Sequence, residues 1–268
     1  MNEMEEDRNT EEQLRRQDDN VHEEEEETAC ASSSDDGRRH MWSVGCLCDI
    51  VEVTPVSVMQ PVKYFFTWQG VLTIAYSGIP PSLLQLKKRI KEEFPGIRNE
   101  SAGSLWPITS LACLHDRRYP SLSQLYELHH ICSEESSSLV VSPYVLLNNL
   151  SVVLYGNCCL EKNMLVTRIP LSYPADFTGP PLEESTYVAK VLNDFKAENL
   201  ENYLAHFSED GYHSAHYKNS RSGVSLVHFI ATPPPSLARF RQRVESALPG
   251  LYDWFSESSL HITIRPLV

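Results

Sequence analysis

One pair of residues has both the types and the spacing to do chemistry: His261 and Thr263, in the closing stretch "SSLHITIRPLV". An imidazole titrates near neutral pH and both takes and gives a proton. The surrounding apolar alternation predicts a strand, and strand side chains two apart point the same way. The Thr263 hydroxyl therefore stands beside the imidazole, where it can donate to an oxygen that gains charge. The other histidines carry less. His228 sits in an apolar strand pattern, "SLVHFIA", facing either a cleft or a helix layer. His213 and His216 have H-x-x-H spacing in a polar segment, which reads as surface. His129 and His130 close a predicted helix, where imidazolium suits the dipole. The Cys46-x-Cys48 pair has no second pair at zinc-site spacing, so no metal or cofactor is expected.

The elements that must position His261 occur twice. "PPSLLQLKKRIKEEFPG" (80–96) and "PPSLARFRQRVESALPG" (234–250) lie 154 residues apart and share 7 of 17 positions. Both predict helices, with prolines in the first turn, a Pro-Gly stop, and one apolar stripe: Leu83, Leu86, Ile90, Phe94 and Leu237, Phe240, Val244, Leu248. Each follows a short strand, "VLTIAYS" or "SLVHFIA". Each precedes a second strand, where "SLWPITSLACL" (104–114) aligns without a gap to "SSLHITIRPLV" (258–268). In that alignment Thr109 meets Thr263 and Pro107 meets His261. His115 lies eight residues beyond Pro107, roughly 26 Å along a strand, and is out of reach of the same centre. Between the copies, 121–133 predicts a helix, 150–160 and 164–171 a hairpin, 183–207 one broken or two short helices, and 208–223 a polar loop or hairpin. The pattern is an α+β, pseudo-symmetric two-lobed domain built from duplicated strand–helix–strand units.

Charge divides the chain. Residues 1–40 hold 15 acids and 5 Lys/Arg, including the run Glu23 to Glu27, while the remainder holds 21 acids and 18 bases. The first 40 residues read as a disordered acidic tail. Residues 41–268 read as the two-lobed domain, with lobe one about 64–140 and lobe two about 223–268, joined by 141–222. Its near-neutral charge argues against broad DNA or RNA affinity. Seven cysteines, two of them adjacent, point to reduced thiols and a cytoplasmic or nuclear setting. No apolar run reaches the ~18 residues that a membrane span needs.

A two-lobed strand–helix–strand layout with His-x-Thr in the final strand resembles the two-histidine phosphoesterase superfamily, the LigT-like fold, over roughly 64–268. The resemblance implies two His-x-Thr/Ser motifs facing across a cleft and acting on cyclic or 2′,5′-linked phosphodiesters of RNA ends or nucleotides. One imidazole is the base for the attacking hydroxyl, the other the acid for the leaving oxygen. Here Pro107 replaces the first histidine, so the implied site has His261, Thr263 and Thr109, with His228 as a further substrate-binding candidate. Three expectations stay open: a phosphodiesterase with one imidazole, a module that binds an RNA end or nucleotide phosphate without turnover, and an adaptor that takes a protein partner through the acidic tail.

Overall fold

A computed structural model describes residues 44–268 apart from 98, 101, 140 and 207–212. The acidic tail, Glu23 to Glu27 and Cys30 lie outside the described residues. In chain order the elements are α1 (Val44–Glu52), β1 (Ser57–Met59), β2 (Pro61–Phe66), β3 (Leu72–Tyr76), α2 (Pro81–Glu93), α3 (Ala102–Leu105), β4 (Ile108–Leu114) and α4 (Leu122–Ser136). There follow β5 (Val145–Leu147), β6 (Asn149–Tyr155), β7 (Asn163–Pro170), α5 (Leu182–Asp194), α6 (Leu200–His206), α7 (Ser214–Lys218), β8 (Gly223–Phe229), α8 (Leu237–Ala247), β9 (Tyr252–Trp254) and β10 (His261–Pro266). The polar segment expected to be a loop or hairpin holds the short helix α7. Its apolar neighbours explain the difference: Tyr217 packs on Phe255 at 5.1 Å between centroids.

Both strand–helix–strand units form where the sequence places them. The strands build two four-stranded antiparallel sheets, ordered β2-β3-β4-β9 and β10-β8-β6-β7, with β1 and β5 forming a separate small ladder. The helices bury the stripes that their periodicity dictates, Leu83, Leu86 and Ile90 on α2 and Leu237, Phe240 and Val244 on α8.

The units nevertheless share one core. Helix α8, from the second unit, covers the sheet of the first: Phe240 stacks on Tyr64 at 4.2 Å, and the Tyr64 hydroxyl meets Ser236 Oγ at 2.9 Å. Strand β9, also from the second unit, pairs with β4 of the first. In return α2 brings Leu83 and Lys87 against Ile262 and Ile264 of β10. Ion pairs bind the units as well. Glu135 on α4 is buried and accepts from Arg239 (2.8 Å) and Arg243 (2.9 Å) on α8. Buried Lys87 pairs with Glu100 at 2.7 Å, and Arg265, also buried, lies 3.5 Å from the same carboxylate.

One edge is closed by a helix. Strand β2 presents the Tyr64 N–H outward, and it donates to Ser136 Oγ of α4 at 2.9 Å. Helix α4 starts at a capping box, in which Ser121 accepts from the Gln124 N–H and Gln124 accepts from the Ser121 N–H.

Candidate functional site

Strand pairing gives the register positions of β4 and β10 against their neighbours. In the second unit Phe229 faces His261, His228 faces Ile262, and Val227 faces Thr263. A bulge then follows, so that Leu226 faces Arg265. In the first unit Ala75 faces Ile108, Ile74 faces Thr109, and Thr73 faces Ser110. A bulge follows there too, and Leu72 faces Ala112. The first strands match at an offset of 154. The second strands match at 153, with the bulge falling at Leu111 in one and Ile264 in the other. Exposure agrees, since both strands begin half-buried, buried, half-buried, buried. In strand register, Ile108 holds in β4 the position that His261 holds in β10, and Ser110 the position of Thr263.

Pro107 and Thr109 precede those two positions by one residue each. A slip of one residue turns a strand side chain to the opposite face. Thr109 shares its face with Ile74 and Tyr64, the face covered by α8. It is 1% exposed, and its hydroxyl is held by the Tyr76 hydroxyl at 3.0 Å. Tyr76 is itself fully buried, and burial raises its phenol well above the ordinary range. Burial keeps this hydroxyl out of reach of a ligand in solvent. Pro107 lines a space of about 10 Å³ together with Thr263, Ile262, Trp106 and Leu83, which brings it to the Thr263 strand but leaves too little room for a phosphate.

His261 is placed differently. It opens β10 on the face away from Ile262 and Ile264, which enter the core, and is half-buried beside Thr263. Its Nδ1 lies 2.7 Å from the Ser259 carbonyl, so Nδ1 carries the proton and donates. Nε2 keeps its lone pair and makes no hydrogen bond among the described residues. Burial lowers the pKa from 6.5, partly opposed by that hydrogen bond, so the ring is neutral at pH 7. Near it, Phe229 presents its edge at 6.3 Å, and a small apolar cluster of Val153, Leu160 and Val227 occupies the same face.

His228 does not join this site. Its strand partner is Ile262, so it points to the core side, buried, with Nδ1 2.8 Å from the Asn149 carbonyl and its pKa lowered chiefly by burial. His213 is buried against Tyr119 and near the His115 carbonyl (3.3 Å), and His216 packs edge-on against Tyr217. Among the described residues no group of His, Cys, Asp and Glu is arranged to hold a metal ion.

Two residues not singled out in the sequence, Ser110 and Arg168, lie on strands of the same two sheets. Ser110 was not visible in the gapless alignment, which matched Ile to Ile and Thr to Thr, whereas the strand registers differ from it by one residue. Arg168 stands in one cross-strand row with Ser151, Val227 and Thr263. Three strand spacings separate it from Thr263, roughly 14 Å, and its Nε is steadied by Asn149 Oδ1 at 2.9 Å. Strands β4 and β10 lie against each other, bringing Ser110 and Thr263 onto adjoining strands. His261 and Thr263 give one neutral imidazole and one hydroxyl on a partly apolar face, with Ser110 on the adjoining strand and Arg168 three strands away. This set can donate to an oxyanion and accept one proton, but Ile108 provides no second proton-transfer group.

No protein family, no curated protein and no solved structure matches the chain.

Proposed function

We propose that the face bearing His261, Thr263, Ser110 and Arg168 recognises a cyclic or terminal phosphate of an RNA end or nucleotide, on a divergent two-histidine-phosphoesterase-like scaffold that does not turn it over efficiently. The matched registers and bulges of β3/β4 and β8/β10 support taking the two units as copies of one motif. Neutral His261, whose Nε2 makes no hydrogen bond among the described residues, accepts one from a ribose hydroxyl, while Thr263 and Ser110 donate to phosphoryl oxygens. In-line displacement needs an acid opposite that base, and removing one such partner costs roughly 10²–10⁴ in rate. The observation that carries the proposal is Ile108 in the register position where the second imidazole would stand.

Calorimetry with 2′,3′-cyclic nucleotides tests the binding. Heat is expected from the wild type and is lost in His261→Ala and in Ser110→Ala/Thr263→Val. Absence of heat from the wild type overturns the proposal. The register is tested separately, by restoring the missing imidazole. Ile108→His should raise hydrolysis of a 2′,3′-cyclic phosphate by roughly 10²-fold or more, and Pro107→His should leave it at background. Activity gained from Pro107→His alone, or fast His261-dependent hydrolysis by the wild type, refutes this account.

A further inference from the structure

A second cavity, of about 320 Å³, opens at the edge of the first sheet, away from β10. Its walls come from β2, α4 and the turn after α5. Lys63 reaches in from β2, His129 and Cys132 from α4, and Phe195 and Lys196 from the turn. The volume lies in the range of small-ligand pockets.

The charges here are unusual because they converge with little to neutralise them. Lys63 is half-buried, and among the described residues it makes no ion pair. Its Nζ has one long hydrogen bond, 3.5 Å to the Leu192 carbonyl. Burial lowers its pKa, and the nearby Lys196 lowers it further. His129 is likewise lowered, by burial first and by the Lys63 ammonium second, although it bonds the Phe195 backbone. Lys196 is exposed and makes no ion pair among the described residues. The acid on the lining, Glu198, is exposed at the mouth. Cys132 is buried and its thiol is raised well above the usual range, so it brings no negative charge.

Like charges held together around a part-buried space repel one another and are poorly solvated. An ion of opposite sign between them relieves both penalties. The aromatic wall limits what that ion is attached to. Phe195 lies 5.1 Å from Phe65 and 5.4 Å from Trp68, forming a packed apolar side. We infer that this cavity binds a small organic oxyanion, a carboxylate or phosphate monoester on a single-ring or similarly compact apolar body, with Lys63 and Lys196 on the oxyanion and Phe65 and Phe195 on the body. Lys63 and Phe65 share a sheet face with Ile108 and Ser110, two strands away, but neither His261 nor Ser110 lines the cavity, and its lysines are argued without the proposal made for His261.

Calorimetry on the full chain tests the inference with three probes: phenyl phosphate, inorganic phosphate and benzyl alcohol. Phenyl phosphate is expected to bind, inorganic phosphate to bind more weakly, and benzyl alcohol not at all. Lys63→Met and Lys196→Met should each weaken phenyl phosphate roughly 10–100-fold, the loss expected for one charge-assisted hydrogen bond. Lys63→Arg should restore most of the affinity. His261→Ala should leave it unchanged. Lys63→Met should not lower the melting temperature, since it removes an ammonium with no ion-pair partner, and exposed Lys196 provides a second variant free of any folding question. No binding by the wild type, affinity indifferent to both lysine substitutions, or binding abolished by His261→Ala instead overturns it.

Discussion

Replacing Thr109 by Val separates a structural hydroxyl from a ligand-binding one. Valine matches threonine in shape, so the substitution opens no cavity. It removes the partner of the Tyr76 hydroxyl, which lies 3.0 Å away on a fully buried side chain. A buried hydroxyl without a partner costs about 1–3 kcal/mol. In a domain of this size each kcal/mol lowers the melting temperature by about 2–4 °C, so Thr109→Val should lose about 2–12 °C. Tyr76→Phe should cost less, because the Thr109 hydroxyl can turn to a backbone carbonyl. The double variant, with neither hydroxyl, should recover most of the loss, giving a coupling of about 1 kcal/mol or more in a thermodynamic cycle. Thr109→Ser should restore much of the stability. Thermal denaturation measures all four, and calorimetry with a cyclic nucleotide should find Thr109→Val binding like the wild type. An unchanged melting temperature together with lost nucleotide binding would show that Thr109 faces a ligand, and the one-residue register difference would be refuted.

Two further outcomes follow from buried charge. His261, His228 and His129 are each held below 6.5 by burial. Between those depressed values and 6.5 the unfolded chain binds more protons than the folded one, so stability rises with pH in that window. The denaturation midpoint should be flat above pH 7 and should fall as pH drops below about 6.5; a midpoint constant down to pH 5 contradicts the three assignments. Lys87→Met leaves Glu100 with Arg265 at 3.5 Å and strips the donor from the Ser104 carbonyl, which Lys87 holds at 2.7 Å. Removing one partner from so buried a pair should cost about 3 kcal/mol, read from urea denaturation, and a loss under 1 kcal/mol would mean that the pair is solvated.

Much of the scaffold is written in local sequence. The stripes at Leu83, Leu86, Ile90 and at Leu237, Phe240, Val244 dictate helices with one buried face, and the prolines before them fix where the helices begin. The alternation around His261 and Thr263 puts both on one face of a strand whatever that strand pairs with. The exchange between the units was not legible, since nothing in α8 specifies that Phe240 packs on Tyr64 of the other unit's sheet. The Lys63, His129 and Lys196 cavity was equally invisible, because its residues are separated by 66 and 67 positions in the chain.

The sequence by itself determined the periodicities, the two strand–helix–strand units and the chemistry available at His261. Only the tertiary structure decided how the strands around it pair. Periodicity two fixes which residues share a face but not which face is the core, and a gapless alignment is blind to a one-residue difference in a linker. The cross-strand hydrogen bonds resolved both, pairing Thr73 with Ser110 and Val227 with Thr263. They put Thr109 on the face covered by α8 and Ile108 on the opposite one.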